Sequence, residues 1–162
     1  MIIRKAKEDD LKSVFRIYEV ARAFMKKTGN PNQWKDKHPP KEMLCDDVVR
    51  ERLYVAEEDG VLYGAFALYA EGDPVYDTLG ATWQNDAPYI AIHRVASSGE
   101  KRGILRAFVE YALTVSKNIK IDTHAENVVM QSALEKLGFR SCGIADIPGV
   151  GERILYQRCD EE

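Results

Sequence analysis

The chain contains 162 residues, of which 45% are hydrophobic and 30% are charged, and its formal net charge is −3. This composition predicts one globular domain over residues 1–162, and the scattered Lys and Arg residues argue against nucleic acid as a partner. Because no apolar run reaches the length of a membrane span and the N-terminus lacks a signal-peptide pattern, we expect a cytoplasmic protein with no membrane partner.

The first half of the chain combines strand and helix patterns. A short strand, "MIIRKA", precedes a helix over "EDDLKSVFRIYEVARAFMKK", whose acidic start and basic end suit the helix dipole. The loop "TGNPNQWKDKHPP" and a short helix over residues 42–51 follow. Strands "RLYVAEE" and "VLYGAFALYA" then flank Asp59-Gly60, a pair that favours a tight hairpin. Apolar residues three and four apart predict the buried face of the first helix: Leu11, Val14, Tyr18, Ala21 and Met25.

The second half begins after an irregular segment over residues 71–87. A long strand, "PYIAIHRVAS", leads through a turn into the helix "GILRAFVEYALTVSK". Strand "NIKIDTH", helix "ENVVMQSALEKL" ending at Gly138, and strands "FRSCGIADI" and "RILYQR" follow. This order predicts an α/β (α+β) domain with a mixed central sheet and flanking helices. The apolar face predicted for the helix after the long strand consists of Leu105, Phe108, Ala112 and Val115.

The turn "ASSGEKRG" joins that long strand to its helix and contains two adjacent cations. Free N–H groups at a helix start favour an anion, and Lys101 and Arg102 would add charge to such a phosphate cradle. A plain solvated turn has the same composition, and neither GxGxxG nor the P-loop pattern is present. Both interpretations of the turn therefore remain open.

Two motifs at matching spacing resemble the GNAT superfamily of acetyl-CoA-dependent N-acetyltransferases. The family pattern Q/R-x-x-G-x-G/A aligns with "EKRGIL", where Gly103 matches the central glycine and Glu100 and Leu105 depart from the pattern. The stretch "DTHAENVVMQSALEKLGF" matches the family's next strand and helix, with Asn127 at the usual asparagine. The resemblance implies a GNAT-like domain in which the fourth and fifth strands splay apart.

The resemblance also implies acetyl-CoA as co-substrate and a binding site for it. The backbone of His93, Arg94 and Val95 would pair with the pantetheine arm, and one N–H there would act as the oxyanion donor. The pyrophosphate would bind to the turn and helix start, beside Asn127. The residues of the turn and helix start are Glu100, Lys101, Arg102, Gly103, Ile104 and Leu105.

The implied reaction is direct attack of a primary amine, on a small molecule or a peptide, in a ternary complex. Such an attack needs a deprotonated amine and a polarised thioester. Alignment with the family makes Asp122 a candidate base. Strand alternation groups His93 away from Arg94, and if His93 and Asp122 face the same side, His93 is the base and Asp122 orients it. The alternative is that both are structural; His124 is expected to be a local cap or a solvated residue.

The general acid is the clearest departure from the family, whose usual tyrosine aligns with Leu134. Ser132, Tyr156 or water could protonate the thiolate, or the thiolate could leave unprotonated. The absence of this tyrosine leaves a second function open: a non-catalytic acyl-CoA-binding or sensor protein on the same fold.

Loops above the splayed strands predict the acceptor site. Its candidate residues are aromatic and polar, as suits a small organic molecule: Arg22, Gln33, Trp34, Tyr76 and Trp83. Arg22 and Arg94 could bind a carboxylate. Alternatively, both tryptophans cover the core edge, and Arg22 and Arg94 are ordinary surface or salt-bridge arginines. The acidic net charge slightly favours a cationic amine.

Metal and disulfide chemistry are not expected. The three cysteines are an odd number without CxxC spacing, which predicts free thiols, and no metal-binding spacing is present. A homodimer through the last strands is possible by analogy with related proteins.

Overall fold

The strand and helix patterns of the sequence build a seven-stranded sheet covered by helices in a computed structural model that describes residues 1–160. The strands are β1 (Ile2–Lys5), β2 (Leu53–Glu58), β3 (Val61–Tyr69), β4 (Ile90–Ser97), β5 (Asn118–Thr123), β6 (Arg140–Ile147) and β7 (Gly151–Cys159). The α-helices are α1 (Leu11–Lys27), α2 (Lys41–Val49), α3 (Pro74–Asp77), α4 (Ile104–Val115) and α5 (Val128–Lys136), and a 3-10 turn (Glu8–Asp10) precedes α1.

The sheet has the strand order β1-β2-β3-β4-β5-β7-β6. β4 and β5 are parallel and are connected through α4, whereas every other neighbouring pair is antiparallel. The predicted single domain with a mixed sheet and flanking helices is therefore confirmed. The Asp59-Gly60 hairpin is also confirmed, since both residues have positive φ, 52° and 80°.

Each face of the sheet buries an apolar layer against its own helices. One layer packs Val14 and Tyr18 of α1 and Leu44 of α2 against β2 and β3. The other packs Phe108 of α4 and Leu134 of α5 against the opposite face. Full burial of a large apolar side chain contributes about 1.5–3 kcal/mol, so these layers hold the helices on the sheet.

The predicted helix faces are partly right. In α1, Val14, Tyr18 and Ala21 are buried, as the spacing predicts. In α4 the buried face is rotated, because Val115 in the last turn is 46% exposed whereas Ile104 and Val109 are buried; the buried residues are Ile104, Phe108, Val109 and Ala112.

The segment predicted to be irregular contains the short helix α3. Asp73 caps it by accepting a 2.9 Å hydrogen bond from the N–H of Val75, and Pro74 takes the first helical turn. This Asp-Pro signal was present in the sequence. The helix matters because it brings Asp73 and Tyr76 over His93 in the middle of β4.

β4 and β5 splay apart, as the family resemblance implies. They pair only at Ile90 with Ile119 and Ala91 with Lys120. Beyond that point β4 bulges at Arg94, whose φ is 54°, so that two residues oppose one on β3. The hydroxyl of Tyr18 donates to the carbonyl of Arg94 at 2.5 Å and ties α1 to the bulge.

Other expectations concern thiols, metals and membranes. The three cysteines are free thiols. Within residues 1–160 no group of three or more His, Cys, Asp or Glu side chains is placed to hold a metal ion. None of the helices over the same residues has both the length and the apolar character required for a bilayer crossing.

Candidate active site

A cleft of about 780 Å³ opens where β4 and β5 diverge. Its walls are residues 92–95 of β4, residues 121–124 at the end of β5, residues 32–35 and 37–38 of the loop after α1, and residues 147–153 between β6 and β7. The predicted catalytic residues His93 and Asp122 both line it. An enclosed cleft with a few converging polar groups is the usual form of a small-molecule site.

His93 contacts a carboxylate that the sequence analysis did not single out. Its Nε2 atom lies 2.9 Å from Oδ2 of Asp73, although the contact is not aligned as a hydrogen bond, and Nε2 is buried. Tyr69 and Tyr76 pack against the ring at centroid distances of 4.6 and 5.3 Å. Nδ1 is therefore the nitrogen available to the cleft. The expected pairing of His93 with Asp122 is not formed.

Asp73 is itself held in place. Burial would raise its pKa, but His93 and the N–H of Val75 outweigh burial, and the pKa of Asp73 falls below its usual value. The hydroxyl of Tyr89 bridges the same residue, since it accepts from the N–H of Asp73 and donates to its carbonyl. Asp73 is thus an ionised group with a defined position.

Asp122 has different partners from those expected. It accepts a 2.5 Å hydrogen bond from the hydroxyl of Tyr76, and Nε of Arg153 lies 3.6 Å from its other oxygen. Burial, followed by the charge of Asp122, raises the pKa of Tyr76 well above its usual value. Tyr76 therefore positions Asp122 and is a poor proton donor.

Arg94 faces the cleft despite strand alternation, because the bulge turns it out of the regular pattern. Its Nε and Nη2 atoms each donate to Asp47 at 2.9 Å, and Nη2 also donates to the hydroxyl of Tyr69 at 2.8 Å. Burial would lower the pKa of Arg94, but Asp47 and Tyr69 raise it on balance. Arg94 thus forms a salt bridge with Asp47, which is the alternative that the sequence left open for this arginine.

Gln33 and Asn127 form side-chain hydrogen bonds with other residues of the fold. Oε1 of Gln33 accepts hydrogen bonds from the side chains of Asn30 and Asn127, both at 3.0 Å. Oδ1 of Asn127 accepts from the N–H of Met130 and caps α5. Both polar ends of the Asn127 side chain are thus used within the fold, whereas Nε2 of Gln33 donates to no partner within residues 1–160; both residues line the cleft, and their roles as ligands stay predictions.

Of three other residues predicted for the acceptor site, one lines the cleft and two do not. Trp34 is buried against Tyr18 and lines the cleft. Trp83 and Arg22 do not line it. Nε1 of Trp83 donates to the carbonyl of Tyr76, and its ring covers the buried ammonium of Lys120. The prediction that Trp83 contacts the acceptor is therefore not supported by its geometry.

The two side chains considered as general acids lie outside the cleft wall, and His124 is a local cap. Ser132 is exposed on α5 and Tyr156 is buried in the core; neither lines the cleft. His124 accepts a 3.0 Å hydrogen bond from the N–H of Glu126, so it is a local cap as expected.

The turn before α4 has the geometry of an anion site. Gly103 adopts φ 81° at the N-cap of α4, and a Cβ there would meet nothing within 4 Å, so the glycine is needed for conformation rather than for space. Within residues 1–160, the N–H groups of residues 101–106 donate to no partner. Lys101 pairs with Glu58, while Arg102 is exposed. The helix start, more than Lys101, is therefore free to meet a phosphate.

Comparison with known proteins finds similarity among solved structures. No protein-family model and no curated protein matches the chain. A GNAT-family acetyltransferase from Streptococcus agalactiae 2603 has 32% identity over 99% of this chain and 96% of that chain, with a TM-score of 0.87.

Two solved structures share the fold at lower identity. GphF, a GNAT-like decarboxylase in complex with isobutyryl-CoA, has 13% identity over 98% of this chain and 99% of that chain, with a TM-score of 0.65. AAC(6')-Ib in complex with ribostamycin and coenzyme A has 18% identity over 97% of this chain and 92% of that chain, with a TM-score of 0.67.

Proposed function

Because the chain belongs to the GNAT superfamily of acetyltransferases, we propose that it transfers the acetyl group of acetyl-CoA to the primary amine of a small molecule or peptide. The observation that carries this proposal is the cleft between the splayed β4 and β5, which has His93 in its wall and an unpaired helix start nearby. Neighbours solved with CoA or an acyl-CoA on the same fold support the choice of cofactor.

His93 is the proposed general base. Nδ1 would accept the amine proton while Asp73 restrains Nε2 and favours the imidazolium that forms. Holding both reactants in the cleft would supply a large part of the acceleration, since orientation alone can be worth about 7–11 kcal/mol. Asp122 would act through Tyr76 and Arg153 as a positioning residue.

The binding of acetyl-CoA is proposed along β4 and the turn before α4. Backbone groups of residues 93–95 would hold the pantetheine arm, and one N–H there would stabilise the oxyanion. The N–H groups of residues 101–106 would hold the pyrophosphate. A thiol of pKa about 8.5 can leave as the thiolate, so the absence of a tyrosine at Leu134 does not block transfer.

The test is CoA release from acetyl-CoA with a panel of primary amines. Turnover with at least one amine is expected, and His93→Gln should lower kcat/KM by about 10²–10⁴ with little change in acetyl-CoA affinity. Binding of acetyl-CoA without turnover on any amine would instead favour the second candidate, an acyl-CoA sensor. That candidate rests on the absence of the family's tyrosine at Leu134.

A further inference from the structure

Two arginines line the cleft, and the proposed proton transfer uses neither of them directly. Arg94 is on the β4 bulge and Arg153 is at the start of β7. Both side chains are largely buried, with exposed fractions of 9% and 6%. Buried charges usually have a partner, so it matters which of their donors remain free.

Arg94 presents one nitrogen to the cleft. Asp47 and Tyr69 occupy Nε and Nη2, and Nη1 forms no hydrogen bond within residues 1–160. Nη1 is not sealed from solvent either. Asp47 also accepts a 2.7 Å hydrogen bond from Arg52, so one buried carboxylate is shared by two guanidinium groups. Nη1 is therefore the donor of this guanidinium that has no partner within residues 1–160 and can meet a ligand in the cleft.

Arg153 is held mainly by neutral acceptors. Nη1 donates to the carbonyl of Glu152 at 3.0 Å, and Nη2 donates to the carbonyl of Gln33 at 3.2 Å. Nε lies 3.6 Å from Asp122, beyond a hydrogen bond, and is not sealed from solvent. Burial lowers the pKa of Arg153, and Asp122 offsets this only in part. The backbone thus orients the guanidinium, and Asp122 is its carboxylate partner at ion-pair distance.

His38 in the same wall responds to this positive field. Its pKa falls to about 4, first through burial and then through the charges of Arg94, Arg153 and Arg22, which outweigh the opposing charge of Asp47. Among the carboxylates of the cleft wall, Asp73 lies against His93, and Asp122 offsets the charge of Arg153 in part. Glu152 is exposed at the rim, as are two lysines, Lys35 and Lys37.

We propose that the acceptor is an amine that also carries a carboxylate, of the α-amino-acid type, and that Nη1 of Arg94 and Nε of Arg153 bind this carboxylate. Guanidinium groups bind carboxylates strongly, most of all in a water-poor cleft. The same charges would favour the neutral form of the attacking amine. This inference rests on the proposed acetyl transfer, and it replaces the cationic amine expected from net charge, because the charges of the cleft wall are nearer the acceptor than the overall charge.

The experiment compares each acid with its amide as acceptor. Acetyl transfer to glycine, L-leucine and L-phenylalanine is measured beside transfer to their carboxamides, by CoA release. For the preferred side chain, kcat/KM should be at least 10-fold higher for the acid. The test is stringent, since the carboxamide has the less basic amine and more of it is deprotonated at a given pH.

Variants of Arg153 test whether the preference for acids over amides arises in the cleft. Arg153→Gln should abolish most of the acid-over-amide preference, and Arg153→Lys should keep part of it. Arg16→Gln, which removes an exposed cation on α1, is the matched control and should leave the preference unchanged. Thermal unfolding and acetyl-CoA affinity of each variant show whether the fold and the cofactor site are intact.

The outcomes separate this inference from the proposed function. Equal transfer to acids and amides would overturn the carboxylate site while leaving acetyl transfer in place. If no amine is acetylated, the proposed function fails, and calorimetry with N-acetyl-L-leucine and N-acetyl-L-leucinamide then decides the inference. Tighter binding of the acid, lost in Arg153→Gln, would support a carboxylate site; equal or absent binding would overturn it.

Discussion

Asp73 determines which nitrogen of His93 can face a substrate. Because the carboxylate lies against the buried Nε2, Nδ1 is left for the cleft. The aromatic rings of Tyr69 and Tyr76 restrict the imidazole further. An imidazole that is oriented by a neighbouring carboxylate is an arrangement that suits general-base catalysis.

Asp73→Asn tests this role without removing the cap of α3, since an asparagine oxygen can also accept from the N–H of Val75. We expect kcat/KM to fall by about 10-fold or more, and the acidic limb of its pH profile to move. A merely structural role would lower the rate without moving that limb. Asp77→Asn, on the same helix but outside the cleft wall, is the control.

His38 makes stability depend on pH. Its folded pKa of about 4 lies below the ordinary value of 6.5, so the unfolded chain binds more protons between these values. The free energy of unfolding therefore falls as the pH drops through this window and is fully retained above it. His38→Gln should reduce the loss between pH 7 and pH 5 by roughly 1 kcal/mol, after allowance for partial exposure. Urea unfolding of the original protein and the variant at pH 7 and pH 5 measures the loss of unfolding free energy. Identical losses in the two proteins would refute the role of His38.

At the scale of elements, the turn and first residues of α4 form the proposed pyrophosphate site. The dipole of a twelve-residue helix and its free N–H groups attract an anion without any side chain. The two cations contribute unequally, because Lys101 is paired with Glu58 and Arg102 is exposed.

Replacing both Lys101 and Arg102 with Ala should weaken acetyl-CoA binding a few-fold and affect acceptor binding less, with most of the effect in the Arg102→Ala single variant. Calorimetric titration measures the change. Lys26 and Lys27, an adjacent exposed pair at the end of α1, provide a control with the same loss of charge. Unchanged affinity in the double variant would favour the plain solvated turn.

At the scale of the molecule, Asp47 connects three elements. It lies fully buried on α2, and its carboxylate binds Arg94 of β4 and Arg52 at the start of β2. The bulge that shapes the cleft is therefore coupled to the packing of α2. Loss of this carboxylate would leave a buried guanidinium uncompensated.

Asp47→Ala should lower the free energy of unfolding by about 3–5 kcal/mol, whereas Asp46→Ala should cost less than about 1 kcal/mol. The two aspartates are adjacent in sequence, but Asp46 is exposed. Denaturant unfolding monitored by circular dichroism compares them. Similar losses in both variants would show that burial of Asp47 does not control its contribution.

The sequence by itself determined the mixed sheet and the order of its strands and longer helices, although the short helix α3 was missed. These depend on signals that are local in the chain: hydrophobic period, and hairpin and helix-end residues. The splay of β4 and β5 and the assignment of residues 93–95 to the cofactor came instead from the resemblance of two motifs to the family. The rotated face of α4 shows the limit, since a helix pattern alone does not say how the helix lies on the sheet.

Only the tertiary structure decided which charged groups meet. Asp73 reaches His93 because α3 folds over β4, and Arg94 turns to Asp47 because β4 bulges against β3. Arg153 meets Asp122 through the pairing of β5 with β7. Such contacts join residues far apart in the chain, so their energies depend on bulges, crossings and burial that periodicity does not encode. For that reason the fold could be predicted from the sequence, whereas the partners of the charged groups in the cleft could not.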